Sequence, residues 1–212
     1  MIITYLGQSC FKFQTRDLTL ITDPYGPEAG GSGARSKADI VTISHNHADH
    51  NYLKGISGDP FVIDSAGEYE VKGIYIVGLP SFHDNRLGEE RGKNIIYRYV
   101  IEGMVLAHLG DLGHLLSSES VDRLGDVDVL FAPVGGVYTL NVDKIPELVS
   151  QIEPRLLIPM HYALAGSASP LKPLDNFCEE MGVKDLAPQD KLKLRKQDLA
   201  SEDTEIKILK KQ

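Results

Sequence analysis

Cysteine is scarce: only Cys10 and Cys178 occur in 212 residues, far apart and outside any CxxC spacing. A disulfide framework or a thiolate zinc site needs more than this, so both thiols are read as buried, with Cys10 near the candidate site. Basic charge is also short. Lysine and arginine number 22 against 30 acidic residues, a net charge of −8, which leaves no positive field to attract a polyanion and makes nucleic acid a poor partner. No uninterrupted apolar run approaches the ~20 residues that span a bilayer, and the start, Met1 to Leu6, lacks the charged n-region and cleavage site of an export signal. The expectation is a cytoplasmic protein with no membrane partner. The remaining composition is ordinary. With 42% hydrophobic and 25% charged side chains, the chain can bury one sizeable core, as one domain or two tightly merged halves.

One run departs from this plain background: His45, Asn46, His47, Ala48, Asp49 and His50 follow the apolar stretch Ile40 to Ser44, which reads as a buried strand. Four of the six side chains bind transition metals. In extended chain, residues two apart share a face, so His45 and His47 can chelate one ion together. If a short helix follows through Ala48 and Asp49, the Asp49 carboxylate and the His50 imidazole project beside that pair toward a second position. The chain has only seven histidines, and a chance cluster of this pattern is rare.

The first third reads as short strands: Ile2 to Leu6, Cys10 to Gln14, Leu18 to Thr22 and Ile40 to Ser44. Between them, Pro24 to Lys37 is a glycine-rich loop with Gly26, Gly30, Gly31 and Gly33. It fits neither the P-loop nor the dinucleotide fingerprint and is read as a flexible border to a substrate entrance. Strands resume at Phe61 to Ile63, Glu70 to Val77, Ile95 to Ile101 and Met104 to Ala107, with a turn at Glu102 and Gly103. Helical periodicity then appears at Ser118 to Leu124, Val142 to Gln151 and Leu174 to Met181. Strands Val127 to Ala132 and Arg155 to Pro159 lie between, and two further alternations, Lys191 to Arg195 and Glu205 to Leu209, close the chain. Strands first and βα units later predict two sheets with helices outside.

Three more ligand candidates each end a strand: His83 in SFHD, Asp111 in AHLGDLGH and His161 in IPMHY. Rigid strands deliver side chains to a shared pocket from such positions. His108 lies inside its strand and is read as core or as a support to a ligand, whereas His114, past the turn, is a candidate substrate contact or an exposed loop residue. Asp23, ending ITD, is placed to orient a ligand histidine through its other ring nitrogen, or else is a turn residue before Pro24. Tyr162 is a candidate donor to an oxyanion or leaving group, with a packed aromatic as the alternative.

The order YLGQSCFKF, ITDP, SHNHADH, SFHD, HLGDLGH, PVGG and IPMHY resembles the metallo-β-lactamase superfamily, and within it a small metal-dependent hydrolase branch related to ascorbate-phosphate lactonases. The resemblance implies an α+β fold, a four-layer αββα sandwich with two central mixed sheets, over residues 1–212 as a single domain. It implies His45, His47 and His83 on one metal and Asp49, His50 and His161 on the other, with Asp111 bridging. Many relatives carry histidine where this chain has Gln8.

Nitrogen and oxygen ligands without cysteine suit two divalent ions, with Zn2+ preferred by the family and Mn2+ or Fe also accommodated. Ions about 3.5 to 4 Å apart would present a metal-bound hydroxide to a small-molecule ester, lactone, thioester or phosphoester, with Asp49 doubling as proton shuttle. Three other readings keep the fold: an iron-dependent redox enzyme, an RNA or DNA nuclease, and a non-catalytic binding protein. The acidic charge counts against the nuclease, and the full ligand set counts against the non-catalytic protein, because buried histidines and carboxylates are costly to hold together without a cation. A homo-oligomer is compatible with the acidic surface.

Overall fold

The computed structural model describes residues 1–29, 32–164, 170–199 and 203–212; Gly30 and Gly31 of the expected entrance loop lie outside the described residues. Its strands, in chain order, are β1 (Ile2–Gly7), β2 (Cys10–Gln14), β3 (Thr19–Thr22), β4 (Ser36–Lys37), β5 (Ile40–Thr42), β6 (Ile56–Ser57), β7 (Phe61–Ile63), β8 (Gly67–Val71), β9 (Ile74–Phe82), β10 (Lys93–Ile101), β11 (Met104–His108), β12 (Val129–Pro133), β13 (Leu156–Met160), β14 (Leu192–Lys193) and β15 (Glu205–Ile206). The helices are α1 (Ser118–Leu124), α2 (Ile145–Ile152) and α3 (Leu174–Glu180). Two mixed sheets stack. One runs β14-β1-β2-β3-β5-β7, the other β15-β13-β12-β11-β10-β9-β8. Each is antiparallel on one side and parallel on the other.

Alternation explains how the sheets meet. On β1 to β5 the inward side chains Ile3, Tyr5, Phe11, Phe13, Leu20 and Ile40 join the main core, while Cys10, Ile21 and Val41 point the other way into a smaller cluster. Aromatic rings close the seam between sheets: Phe11 and Phe13 stand 4.6 and 5.1 Å from Phe131, and Phe13 meets Tyr99 edge-on at 5.7 Å. Among the described residues, α1 and α2 connect β11, β12 and β13, and α3 packs against α2, so the α-helical cover lies on the second sheet. Over the first sheet, the outer layer is loop and 3-10 turn, with Tyr25, Ala34 and Ala38 packed on Cys10, Ile21 and Val41. No helix among the described residues is long and apolar enough to cross a membrane.

Several boundaries differ from the sequence reading for local reasons. The single strand expected at Glu70 to Val77 is a hairpin, because Lys72 (φ 50°) and Gly73 (φ 79°) turn the chain between β8 and β9. The helix expected from Val142 begins as a 3-10 turn, and the α-helix starts at Ile145 with Pro146 in its first turn. Where the sequence offers a short helix through Ala48 and Asp49 as one option, the chain makes a tight turn, closed by the His50 N–H donating to the His47 carbonyl at 2.9 Å.

Candidate metal centre

Every candidate ligand leaves the end of a strand on the same rim. His45, His47, Asp49 and His50 follow β5, His83 follows β9, Asp111 follows β11 and His161 follows β13. Two tyrosines of β10 tie this rim together. The Tyr97 hydroxyl donates to the Ile43 and Ile63 carbonyls, both at 3.0 Å, and Tyr99 bonds Thr42 at 2.7 Å, so the second sheet grips the chain just before His45. The HLGDLGH loop can approach because of its glycines. Gly110 has φ +55°, between Asn94 and Ser44, and a Cβ on Gly113 would overlap the Asp84 backbone.

Asp111 is the hub. Its Oδ2 lies 3.3 Å from His50 Nε2, 3.2 Å from both His83 Nε2 and His161 Nε2, and 4.0 Å from His45 Nε2. Three groups of potential ligand atoms result: His45, His47 and His83; His45, His50 and Asp111; Asp49, His50 and His161. Most of these side chains are buried, while His47 and Asp49 face the opening.

Hydrogen bonds behind the ligands assign their tautomers. His50 Nδ1–H donates to Asp23 Oδ2 at 3.0 Å. His45 Nδ1–H donates to Ser44 Oγ at 2.9 Å, and that hydroxyl donates to Asp23 Oδ2 at 2.6 Å; Asp23 Oδ1 accepts from the Ser44 N–H at 2.7 Å. Both histidines therefore turn Nε2 toward Asp111. Charges follow from the same contacts. Burial, then the neighbouring His50, pushes His45 down to about 3, so it is neutral. Burial alone would raise Asp23 and Asp111, but the histidines around each outweigh it and hold both carboxyls low. His50 goes the other way, since Asp111 and Asp23 overcome its burial and raise it. Asp49 is likewise held low by His161 and His50 against its own desolvation.

This donor set fits a cation. His45 Nε2, His50 Nε2, His83 Nδ1 and both ring nitrogens of His161 are buried without an aligned hydrogen-bond partner. A metal is the partner that satisfies several such buried nitrogens at once.

The other sequence candidates divide. His108 is buried, with Nε2–H donating to the Ser9 carbonyl at 2.8 Å and Nδ1 accepting from the Gly110 N–H at 3.2 Å, so it joins the β1–β2 turn to the Asp111 loop. His114 spends Nε2 on the Phe82 N–H and Nδ1–H on the Leu115 carbonyl. Tyr162 packs in the main core, its ring 6.1 Å from Tyr5, and burial pushes its hydroxyl up to about 12. Gln8, at φ 52°, donates from Nε2 to the Ala29 carbonyl at 2.9 Å.

Two supports carry no sequence signal of their own. Asn94 donates to Ser81 Oγ and the Leu109 carbonyl and accepts from the Asp111 N–H, bracing the hub from behind. Asp84 accepts four backbone N–H bonds, from Arg86, Gly88, Glu90 and Arg91, at 2.8 to 3.1 Å, and so shapes the loop after His83. Desolvation pushes its carboxyl up, but those four donors win and bring it down to about 2. A group depressed in the folded state contributes above its ordinary range and loses that contribution as pH falls through about 2. Asp84→Ala should speed amide exchange of residues 86–91 at least about tenfold at neutral pH; unchanged exchange would show that the loop holds itself.

A His and Asp cluster with orphaned nitrogens, on the rim of two stacked mixed sheets with α-helices outside the second and loop and 3-10 turns outside the first, defines a metal-site protein of the αββα class. The chain belongs to the metallo-β-lactamase superfamily: residues 2–161 match the β-lactamase superfamily domain. A candidate Zn-dependent hydrolase of that superfamily from Thermotoga maritima superimposes with a TM-score of 0.79 at 31% identity, covering 99% of each chain. A UPF0173 protein of Pyrococcus furiosus is 29% identical over 89% of this chain and 97% of its own length. A UPF0173 metal-dependent hydrolase of Salinibacter ruber is 27% identical over 76% and 84% respectively.

Proposed function

We propose that this protein is a metal-dependent hydrolase of a small-molecule ester, lactone, thioester or phosphoester, working with two divalent ions, zinc by preference. The observation that carries the reading is the set of buried, unpartnered histidine nitrogens around Asp111. Relatives named metal-dependent hydrolases support it. His45, His47 and His83 would hold one ion and Asp49, His50 and His161 the other, with Asp111 between them. Ions in this place supply Lewis acidity, which lowers the pKa of water and polarises a carbonyl or phosphoryl oxygen.

The chain's own groups do the rest. Asp23 and Ser44 fix the two imidazoles so that their lone pairs need no reorganisation during turnover. Asp49 is the ionised carboxylate nearest the opening, its side chain 39% exposed. Its carboxylate is placed to take the proton of the attacking water and return it to the leaving oxygen, or to the sulfur of a thioester, as the scissile bond breaks.

Metal analysis of freshly purified protein, paired with a lactone, thioester and phosphodiester screen, tests the proposal. One to two equivalents of zinc or manganese and hydrolysis lost in His47→Ala are expected. Chelation should lower the melting temperature by about 10 °C, taking about 4 kcal/mol for ligand at a thousand times its Kd and 2 to 4 °C per kcal/mol in a domain of this size. Protein that carries no metal and melts identically with and without chelator would refute it, and bound iron with oxygen consumption would move the chemistry to the redox class.

A further inference from the structure

Next to the metal centre lies a cavity of 440 Å³ that shares His83 with it and is walled by Arg91, His114, Tyr138, Asn141 and Lys144. The charges around it are mostly committed. Asp84 is spent on four backbone amides, Glu90 pairs with Arg86 at 3.1 Å, and Lys144 pairs with Glu147 at 2.9 Å. His114 has both ring nitrogens on backbone groups. Arg91 differs. Its guanidinium lies over the Tyr138 ring, 3.8 Å from the centroid, and has no carboxylate partner among the described residues.

Three observations give this arrangement a direction. Stacking holds the planar fork while leaving its N–H edges free, the presentation that suits bidentate capture of a carboxylate or phosphate. Position is set from both sides. The Arg91 N–H is anchored on Asp84 at 2.8 Å, and Tyr138 holds φ +70°, a left-handed conformation that an aromatic residue adopts only when its surroundings impose it. The wall also contains Thr139, whose hydroxyl is buried with no hydrogen-bond partner among the described residues. An oxyanion in this cavity would meet an unspent guanidinium.

We infer that this cavity is the substrate pocket and that Arg91, stacked on Tyr138, selects substrates carrying a carboxylate or phosphate near the bond to be cut. The name substrate rests on the hydrolase proposal, whereas the anion site stands on Arg91 and its surroundings. Arg91 is a specificity residue here, since the anion it binds is not the reacting group.

Chelator-treated protein separates the two, because no metal then competes for the anion. Titration with inorganic phosphate and, in parallel, with succinate, followed by calorimetry, should show saturable binding of at least one. Arg91→Ala should weaken it about tenfold or more and Arg91→Lys less, as expected for a charge-assisted, forked contact; circular dichroism confirms that each variant is folded. The better-bound anion identifies which of the two the site takes. In metal-loaded protein, matched aryl esters with and without that anion a few bonds from the ester should differ about tenfold in kcat/KM, and Arg91→Ala should erase the difference through KM. Anion binding that is absent from the wild type, or unchanged in Arg91→Ala, overturns the inference. Binding that is lost in Arg91→Ala, in a protein that hydrolyses none of the esters, keeps the anion site and removes the hydrolase reading.

Discussion

Asp111→Asn should lose at least one metal equivalent and lower hydrolysis about a thousandfold, the scale expected when a group acting at the reacting centre is removed. The substitution keeps the volume and the shape. It removes the one negative charge that lies within 3.3 Å of three imidazole nitrogens from three separate strand ends. An amide presents a weaker oxygen donor, and its NH2 group points a positive edge at ions the other ligands would gather. The backbone around it should stay in place, because Asn94 still accepts from the residue 111 N–H and His108 still holds Gly110. Plasma mass spectrometry of the purified variant reads the metal, and single-turnover assay reads the rate. Wild-type metal content with a wild-type rate would mean that the histidines assemble the centre without a bridging carboxylate.

Asp23→Ala should destabilise the protein by about 3 to 5 kcal/mol, the usual cost of removing one partner from a buried charged pair, and weaken metal binding about 10- to 100-fold. Asp23 is 1% exposed and accepts from the Ser44 N–H, the Ser44 hydroxyl and His50 Nδ1. Alanine leaves those donors buried without an acceptor and frees both His45 and His50 to change tautomer or rotate. For a domain of this size the melting point should fall by about 6 to 20 °C. Asp23→Asn, which can still accept a hydrogen bond, should cost less in stability than in metal affinity, a split that separates orientation of the ligands from simple packing. Because the folded protein holds this carboxyl below its ordinary value, its contribution is present at neutral pH and is lost on acidification through the lowered value. Calorimetry of metal-free protein together with metal titration gives both numbers, and an unchanged melting point in Asp23→Ala would remove Asp23 from this role.

Legibility in the sequence followed the range of the interactions. The His45 to His50 run is dense in metal-binding side chains, so one window shows it. The ends of β9, β11 and β13 could be located because an apolar strand stops at His83, near Asp111 and at His161. Local chemistry also misled. Lys72 and Gly73 make a turn without the usual Asn-Gly signal, so a hairpin read as one strand. The segment after His47 offers a short helix as one option, whereas the chain makes a single turn there, closed by the His50 N–H on the His47 carbonyl. Asp84 and Asn94 look like ordinary polar residues beside strands. Their roles exist only through partners that the fold supplies, four amides for one and the Asp111 backbone for the other.

By itself, then, the sequence determined the kind of elements and the chemistry each could offer: alternating strands for two sheets, βα units after them, and imidazoles and carboxylates at strand ends, all of which depend on neighbours a few residues apart. Tertiary structure decided how those pieces face one another. Tyr97 and Tyr99 reach across to the chain before His45, Asp23 reaches Ser44 and His50, and Arg91 settles on Tyr138, 47 positions further along by the difference of their numbers. Hydrogen-bond partners, tautomers and the walls of a cavity depend on distances of a few ångströms between residues far apart in the chain, and folding alone sets those distances.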